Sequence, residues 1–307
     1  MREVRDWLSS YLKYVEKTEP PILFHTWTAV SVIAACLERR VYLPWGMSST
    51  IYPNHYIVLL GPSAHSRKGE AISLGRELIK ETTTTTVSES ITREALIKKF
   101  GQDSTKVMFK DNTTGEFVHH SALYEIAEEL TVFLGQKDIK FLGDLTNWYD
   151  SRPDWAYETK HFGTDDVEGM CFNLLGGTAP DWLVSILPRE AIGGGWTSRT
   201  IFVVEEMKFQ SAADPREMSI DEELKGLLIA DLQHIRTVSG TMTFADDALE
   251  TYIKWYEQMD RDLKAGKPPV HDPALVGYIG RRATHLRKLA MVLSVSRGDD
   301  LTITLKD

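Results

Sequence analysis

The sequence predicts an α/β fold: a mostly parallel sheet around a phosphate-binding loop, with a helical preface before it and a helical bundle after it. Three observations predict this. The apolar run Tyr56-Ile57-Val58-Leu59-Leu60 leads into the small-residue loop Gly61-Pro62-Ser63-Ala64-His65-Ser66, then into the adjacent cations Arg67 and Lys68, then into a helical pattern. Strand-like and helix-like segments alternate from there to about residue 204, the pattern of a parallel sheet covered on both faces. Apolar residues recur at helical spacing near both ends of the chain.

In chain order, Trp7, Leu8, Tyr11, Leu12 and Val15 mark a first helix, Pro20-Pro21 breaks it, and a second helix runs from about Leu23 to Leu37. Residues 1–50 thus form an N-terminal helical segment, and 51–207 are the expected core. Its strands are His55–Leu60, Thr84–Ser88, Glu116–His119, Ala122–Ala127, Gly169–Leu175 and Thr200–Val204. Its helices are Gly69–Lys80, one opening at Ile91 with Thr92 as N-cap, Ile139–Tyr149, and Asp181–Leu187 stopped by Pro188. Asn112-Thr113-Thr114-Gly115 reads as a turn. Residues 208–307 form a C-terminal lid or bundle with helices at Ile220–Ile235, Ala245–Lys264 and Pro273–Ser296.

The loop has the physical plan of an anion cradle. Backbone N–H groups and a helix N-terminus favour negative charge, and a cationic side chain completes the site. Against the pattern G-x-x-x-x-G-K-[ST] two registers compete. Counted from Gly61, Ser66 takes the second glycine slot, Arg67 the lysine slot and Lys68 the hydroxyl slot. With one more residue in the loop, Lys68 is the phosphate lysine and Gly69 stands in the hydroxyl slot. The second is preferred, because lysine is a compact, mobile point charge and arginine a bulkier fork. Gly61, Pro62, Ser63, Ala64, His65, Ser66, Arg67, Lys68, Gly69 and Glu70 are the nucleotide-binding candidates. No hydroxyl follows the chosen cation, so Ser66 or a water must serve any metal. An ordinary strand–turn–helix junction is the bland alternative.

Hydrolysis also needs a carboxylate at the tip of a neighbouring strand. The segment Leu123-Tyr124-Glu125-Ile126-Ala127-Glu128-Glu129 offers two. Glu128 is expected to act on Mg²⁺ through the nucleotide or a water, and Glu129 to orient or deprotonate the attacking water. The pair also reads as helix-opening acids favoured by the dipole. Thr178, ending the apolar strand before Ala179-Pro180, is the candidate γ-phosphate sensor or water-holding residue, or else an N-cap. Arg199, after Gly193-Gly194-Gly195, is a candidate arginine finger, or a surface arginine paired with an acid. Arg281, Arg282 and Arg287 lie with Lys288 on one late helix, as a second phosphate sensor, a DNA contact or a solvated face.

Composition narrows the class. The net charge of −9 argues against a surface coated with cations, so nucleic-acid contact requires a local patch or a ring pore. Cys36 and Cys171 match no metal pattern and predict no disulfide framework, which fits a reducing cytoplasm. The charged start Arg2-Glu3-Val4-Arg5-Asp6 is unlike a signal peptide, and the longest apolar run, Ala29–Leu37, is too short to span a bilayer.

These segments, in this order, resemble the P-loop ATPases of phages and plasmids described as primase- or helicase-associated. The resemblance rests on Phe24-His25-Thr26-Trp27, Tyr52-Pro53-Asn54, Gly61-Pro62-Ser63 with Arg67-Lys68-Gly69, Ser90–Leu96 and Glu128-Glu129-Leu130. It continues through Leu175–Pro180 with Trp182-Leu183, Gly193-Gly194-Gly195 with Ser198-Arg199, and His285–Ala290. It covers most of the chain and departs at Ala64 and Ser66, where glycines are usual. It implies a RecA- or AAA-like P-loop NTPase core that binds ATP and Mg²⁺. It also implies a homo-oligomeric ring, the hexamer among its sizes, acting on single-stranded DNA with other replication proteins in a bacterial or phage-infected cytoplasm. The expected activity is that of a helicase-like, DNA-stimulated ATPase. A nucleotide-binding scaffold or loader with little hydrolysis is the first alternative and a packaging or remodelling motor the second.

Overall fold

A computed structural model gives the fold, and it describes residues 2–136, 138–159, 163–188, 191–214 and 221–307. The chain opens with helices α1 (Trp7–Tyr14) and α2 (Ile22–Leu37) and a small hairpin, β1 (Val41–Pro44) and β2 (Thr50–Ile51). Asp6 caps α1 by accepting from the Ser9 N–H. The core follows as β3 (Tyr56–Leu60), α3 (Lys68–Lys80), α4 (Arg93–Phe100), β4 (Lys106–Lys110), β5 (Phe117–Ala127), α5 (Leu130–Leu134) and α6 (Ile139–Trp148). Then come the hairpin β6 (Asp154–Thr159) and β7 (Gly163–Glu168), β8 (Met170–Thr178), α7 (Pro180–Ile186) and β9 (Thr200–Val204). The chain finishes with α8 (Glu222–Ile235), β10 (Gly240–Thr241), β11 (Thr243–Phe244), α9 (Asp246–Lys264), α10 (Val276–Arg297) and β12 (Thr302–Ile303).

The central sheet has the order β4-β5-β8-β3-β9. β5, β8, β3 and β9 are parallel, and β4 closes the edge as the antiparallel partner of β5. β3 is buried along its whole length, as a central parallel strand must be. Its alternate residues serve two cores. Ile57 and Leu59 join the layer with α1, α2, α3, α8 and α10, while Tyr56, Val58 and Leu60 face α4, α5, α6 and α7. Gly75 lets α2 and α3 approach, since a Cβ there would stand 2.5 Å from Thr28 Cγ2.

The helical preface and the C-terminal helices share that first layer. Trp7 Nε1 donates to the Leu228 carbonyl at 2.9 Å, and the Asp231 carboxylate accepts from the Glu3 and Val4 N–H groups. A buried cluster ties three segments together. Glu38 bonds to Arg40 at 2.5 Å, to His120 of β5 at 2.6 Å, and to Arg236, just beyond α8, at 2.8 Å. Those three partners hold the Glu38 carboxyl down at about 2 despite complete burial.

Several expected elements differ in extent. Glu116–His119 and Ala122–Ala127 form one strand, because β5 runs unbroken past β4 on one side and β8 on the other. Thr84–Ser88 makes only a single parallel bridge, Thr86 to Tyr124, on the stretch of β5 beyond its pairing with β4. Pro273–Leu275 is a 3₁₀ turn that leads into α10. Ile220, the first residue of the expected third-from-last helix, lies outside the described residues. Thr92 caps α4 as expected, accepting from Ala95 N–H. Cys36 and Cys171 are both free and buried. Among the described residues no helix is long and apolar enough to cross a membrane.

Candidate functional site

The loop joining β3 to α3 leaves the sheet at the C-terminal ends of its parallel strands, where open α/β sheets form their ligand crevices. Gly61 starts it and has to be glycine. A Cβ there would lie 2.3 Å from Ser66 Oγ and 2.5 Å from the Glu205 carbonyl. Ala64 and Arg67 take left-handed backbone, φ +62° and +53°, at positions where glycine would be unstrained. The tip is tied down from outside: Lys208 N–H donates to the His65 carbonyl at 2.8 Å. Among the described residues, the N–H groups of Ser66, Arg67, Lys68 and Gly69 donate to no acceptor in the chain. These are the orphan donors of a helix start, at the positive end of the α3 dipole.

The two adjacent cations diverge. Arg67 is half-exposed and pairs with Glu19 at 2.6 Å; Glu19 also holds Lys208 at 2.5 Å. Lys68 turns inward, is buried, and donates to the Gly61 carbonyl at 3.1 Å. Burial lowers the Lys68 ammonium pKa, and Glu129 opposes that shift. Gly177 of β8 lets α3 and the end of β5 approach, because a Cβ there would stand 2.8 Å from Ile72 Cδ1 and 3.0 Å from the Glu128 carbonyl, with Lys68 Cδ at an ordinary 3.5 Å. Lys68, not Arg67, is therefore the cation inside the loop.

β5 ends beside the loop and delivers both acids. Its register, Ala127 opposite Gly176 of β8, sets Glu128 and Glu129 just beyond the strand tip. Glu128 Oε1 accepts from Ser73 at 2.7 Å and from Arg76 at 3.1 Å. A Cβ on Gly69 would lie 3.5 Å from Glu128 Oε2, so the acid abuts the start of α3. Glu129 Oε1 accepts from Thr131 at 2.8 Å and from Thr178, the last residue of β8, at 3.0 Å. A cavity of about 350 Å³ opens here, lined by Ser63, Ala64, Arg67, Lys68, Gly69 and Glu70 on one wall and by Glu128 and Glu129 on the other.

The structure thus brings together Lys68, the loop, Glu128, Glu129 and Thr178. It does not bring the arginines there. Arg199 stands at the N-terminal end of β9, and the register Tyr56 to Thr200 and Leu60 to Val204 puts that end away from the loop. Arg199 is 8% exposed, donates to the Gly195 carbonyl and pairs with Asp150 at 3.2 Å. Arg281 reaches toward the same Asp150 at 4.0 Å, while Arg287 covers the Trp45 ring and Arg282 covers Trp255. The late arginines therefore gather at the far end of the sheet or on the flank of α9.

Three residues went unnoticed in the sequence. Ser73 and Arg76 fall on the α3 face that Gly69 begins, at i+4 and i+7, and a helical-wheel reading from the loop would have found them. Glu19 carries no local signal, since it reaches Arg67 across more than forty residues. Among the described residues no group of three or more His, Cys, Asp and Glu side chains is arranged to hold a metal. No protein-family model matches the chain, and no curated protein matches it.

Proposed function

We propose that the chain is an ATP-binding P-loop ATPase with a RecA- or AAA-like core, acting as a DNA-stimulated, helicase-type motor of phage or plasmid replication. One observation carries the reading. An inward lysine and free helix-start N–H groups share a cavity with two strand-tip carboxylates, one of them held by a threonine from the next strand. A triphosphate suits the loop side, where dipole, N–H groups and Lys68 are all positive. The acidic side suits the attacking water. Glu129, steadied by Thr178 and Thr131, is placed to orient that water and take its proton.

The donor set fits Mg²⁺. This ion usually keeps several waters and takes one or two carboxylates plus substrate phosphates, not a full protein cage. Glu128 would hold it with Ser63 nearby, whereas Ser66 is fully buried and donates to the Pro62 carbonyl at 3.2 Å; the ion when bound would neutralise charge on the phosphates. Arg76 and Ser73 keep the Glu128 carboxylate aimed at the loop side. The reading rests on the loop and the acids and not on Arg199, which is turned inward and paired within its own chain.

The test is ATP turnover with and without single-stranded DNA, wild type beside Glu129→Gln. Turnover stimulated by DNA and lost in Glu129→Gln is expected. Absence of turnover in every oligomeric state, with nucleotide binding intact, selects a second reading: a nucleotide-binding scaffold or loader. Two features favour that alternative, the strained Ala64 and Arg67 backbone and the glycine where a metal-binding hydroxyl would follow Lys68.

A further inference from the structure

A larger cavity, about 670 Å³, opens at the other end of the sheet, beside the N-terminal end of β3. The length of β3 alone separates the two cavities by about 13 Å at 3.3 Å per residue. The larger one is walled by Arg39, Arg152, Arg281, Arg287 and Lys288, and Asp150 is its one carboxylate. Asp150 is already shared between Arg199 and Arg281.

The buried cations lack acidic partners. Lys288 is 3% exposed, and its ammonium donates only to neutral oxygens: Asn54 Oδ1 at 2.6 Å, the Asn54 carbonyl at 3.1 Å and the Tyr149 carbonyl at 3.4 Å. Burial brings its pKa down to about 7. Arg287 is 8% exposed; its Nε donates to the Ala283 carbonyl and its Nη2 reaches Thr284, but its Nη1 has no acceptor. Arg39 gives Nη2 to the Tyr52 hydroxyl at 2.6 Å and leaves a buried Nε without an acceptor. Orphaned guanidinium donors are costly inside a protein, and an anion entering the cavity would supply the missing acceptors.

We propose that this cavity is a second ligand site, which binds a small phosphate-bearing molecule on Arg287 and Lys288, with Arg39, Arg152 and Arg281 around its mouth. Phosphate is the favoured chemistry because its several oxygens satisfy more than one guanidinium fork at once. The cavity lies within the roughly 300–1,000 Å³ range typical of small-molecule pockets. A nucleic-acid strand is disfavoured: the aromatic rings at hand, Trp45 and Tyr52, are covered by Arg287 and Arg39 and leave no open stacking platform.

The test is calorimetric titration of the full chain carrying Lys68→Ala, which disables the loop cavity, with inorganic phosphate, pyrophosphate and ATP in turn. Saturable binding of pyrophosphate or ATP is expected, weakened about tenfold or more by Arg287→Gln. The double variant Arg152→Gln/Arg281→Gln, whose side chains lie nearer the surface, guards against a folding defect and should weaken binding likewise. Tighter binding of ATP than of pyrophosphate would identify the ligand as a nucleotide, and the reverse would identify a simple polyphosphate. Binding that disappears with Lys68→Ala and is unmoved by the Arg152, Arg281 and Arg287 variants would overturn the proposal. So would affinity for a single-stranded oligonucleotide alone, or no association of any phosphate compound. Because Lys68→Ala is the background, failure here leaves the loop site untouched, and failure of the loop site leaves this one standing.

Discussion

The Thr178 hydroxyl donates to Glu129 Oε1 across 3.0 Å, joining the tips of two parallel strands in front of the loop that carries Lys68. The contact gives Thr178 a positioning role: it fixes the carboxylate that the proposed reaction uses. Thr178→Val keeps the shape of the side chain and removes the donor. Turnover should fall by about tenfold, a part of the roughly 10²–10⁴-fold that a positioned general base contributes because Thr131 still holds the carboxylate, while ATP affinity stays within about twofold. Thr178→Ser should restore most of the loss. Steady-state kinetics beside equilibrium nucleotide binding decide it, and equal turnover in Thr178→Val would remove Thr178 from the mechanism.

Glu125 poses a stability question. It lies fully buried on β5, and neither carboxylate oxygen has a partner. Burial first, and Glu89 second, push its carboxyl up to about 8. A folded-state value above the unfolded one means the neutral acid stabilises the fold at low pH. That contribution is complete below about 4.5 and is lost as pH rises through about 8. Urea unfolding should therefore show wild type losing up to about 4 kcal/mol relative to Glu125→Gln between pH 5 and pH 8.5. Parallel pH profiles for the two proteins would show that Glu125 is not buried as described.

The loop backbone makes a third prediction. Ala64 sits at φ +62°, where a left-handed L-residue costs about 1–2 kcal/mol, and glycine's extra unfolded-state entropy offsets about half of that. Ala64→Gly should thus raise unfolding free energy by about 0.5–1 kcal/mol, opposite to the usual sign of Ala→Gly. Chemical denaturation measures it directly, and a loss of stability would mean the loop does not hold that turn.

How much of this was legible in the sequence depends on the range of the signal. The loop was legible because an apolar run, small residues and cations are contiguous there. The capping role of Thr92 was legible for the same reason. The meeting of Glu129 and Thr178 needed the parallel register of β5 beside β8, which no local pattern carries. The β6–β7 hairpin had half a signal: Trp155 and Tyr157 alternate and stack, but the return strand Gly163–Glu168 offers Val167 as its single apolar side chain. The two-residue strands β10, β11 and β12 are too short to leave any period. Arg199 is the most instructive case. A residue that precedes a strand parallel to β3 must lie at the end opposite Gly61, so its remoteness from the loop followed from the expected sheet itself.

Direct titration of nucleotide with Mg²⁺ against the full chain, with Lys68 and with Lys68→Ala and both carrying Arg287→Gln so that the second cavity does not contribute, bears hardest on the central claim. Saturable ATP binding that weakens at least about tenfold when the inward lysine is removed is the expected result. Protein with Lys68 in place that never associates with ATP, or a Lys68→Ala protein that binds it equally well, would contradict the claim.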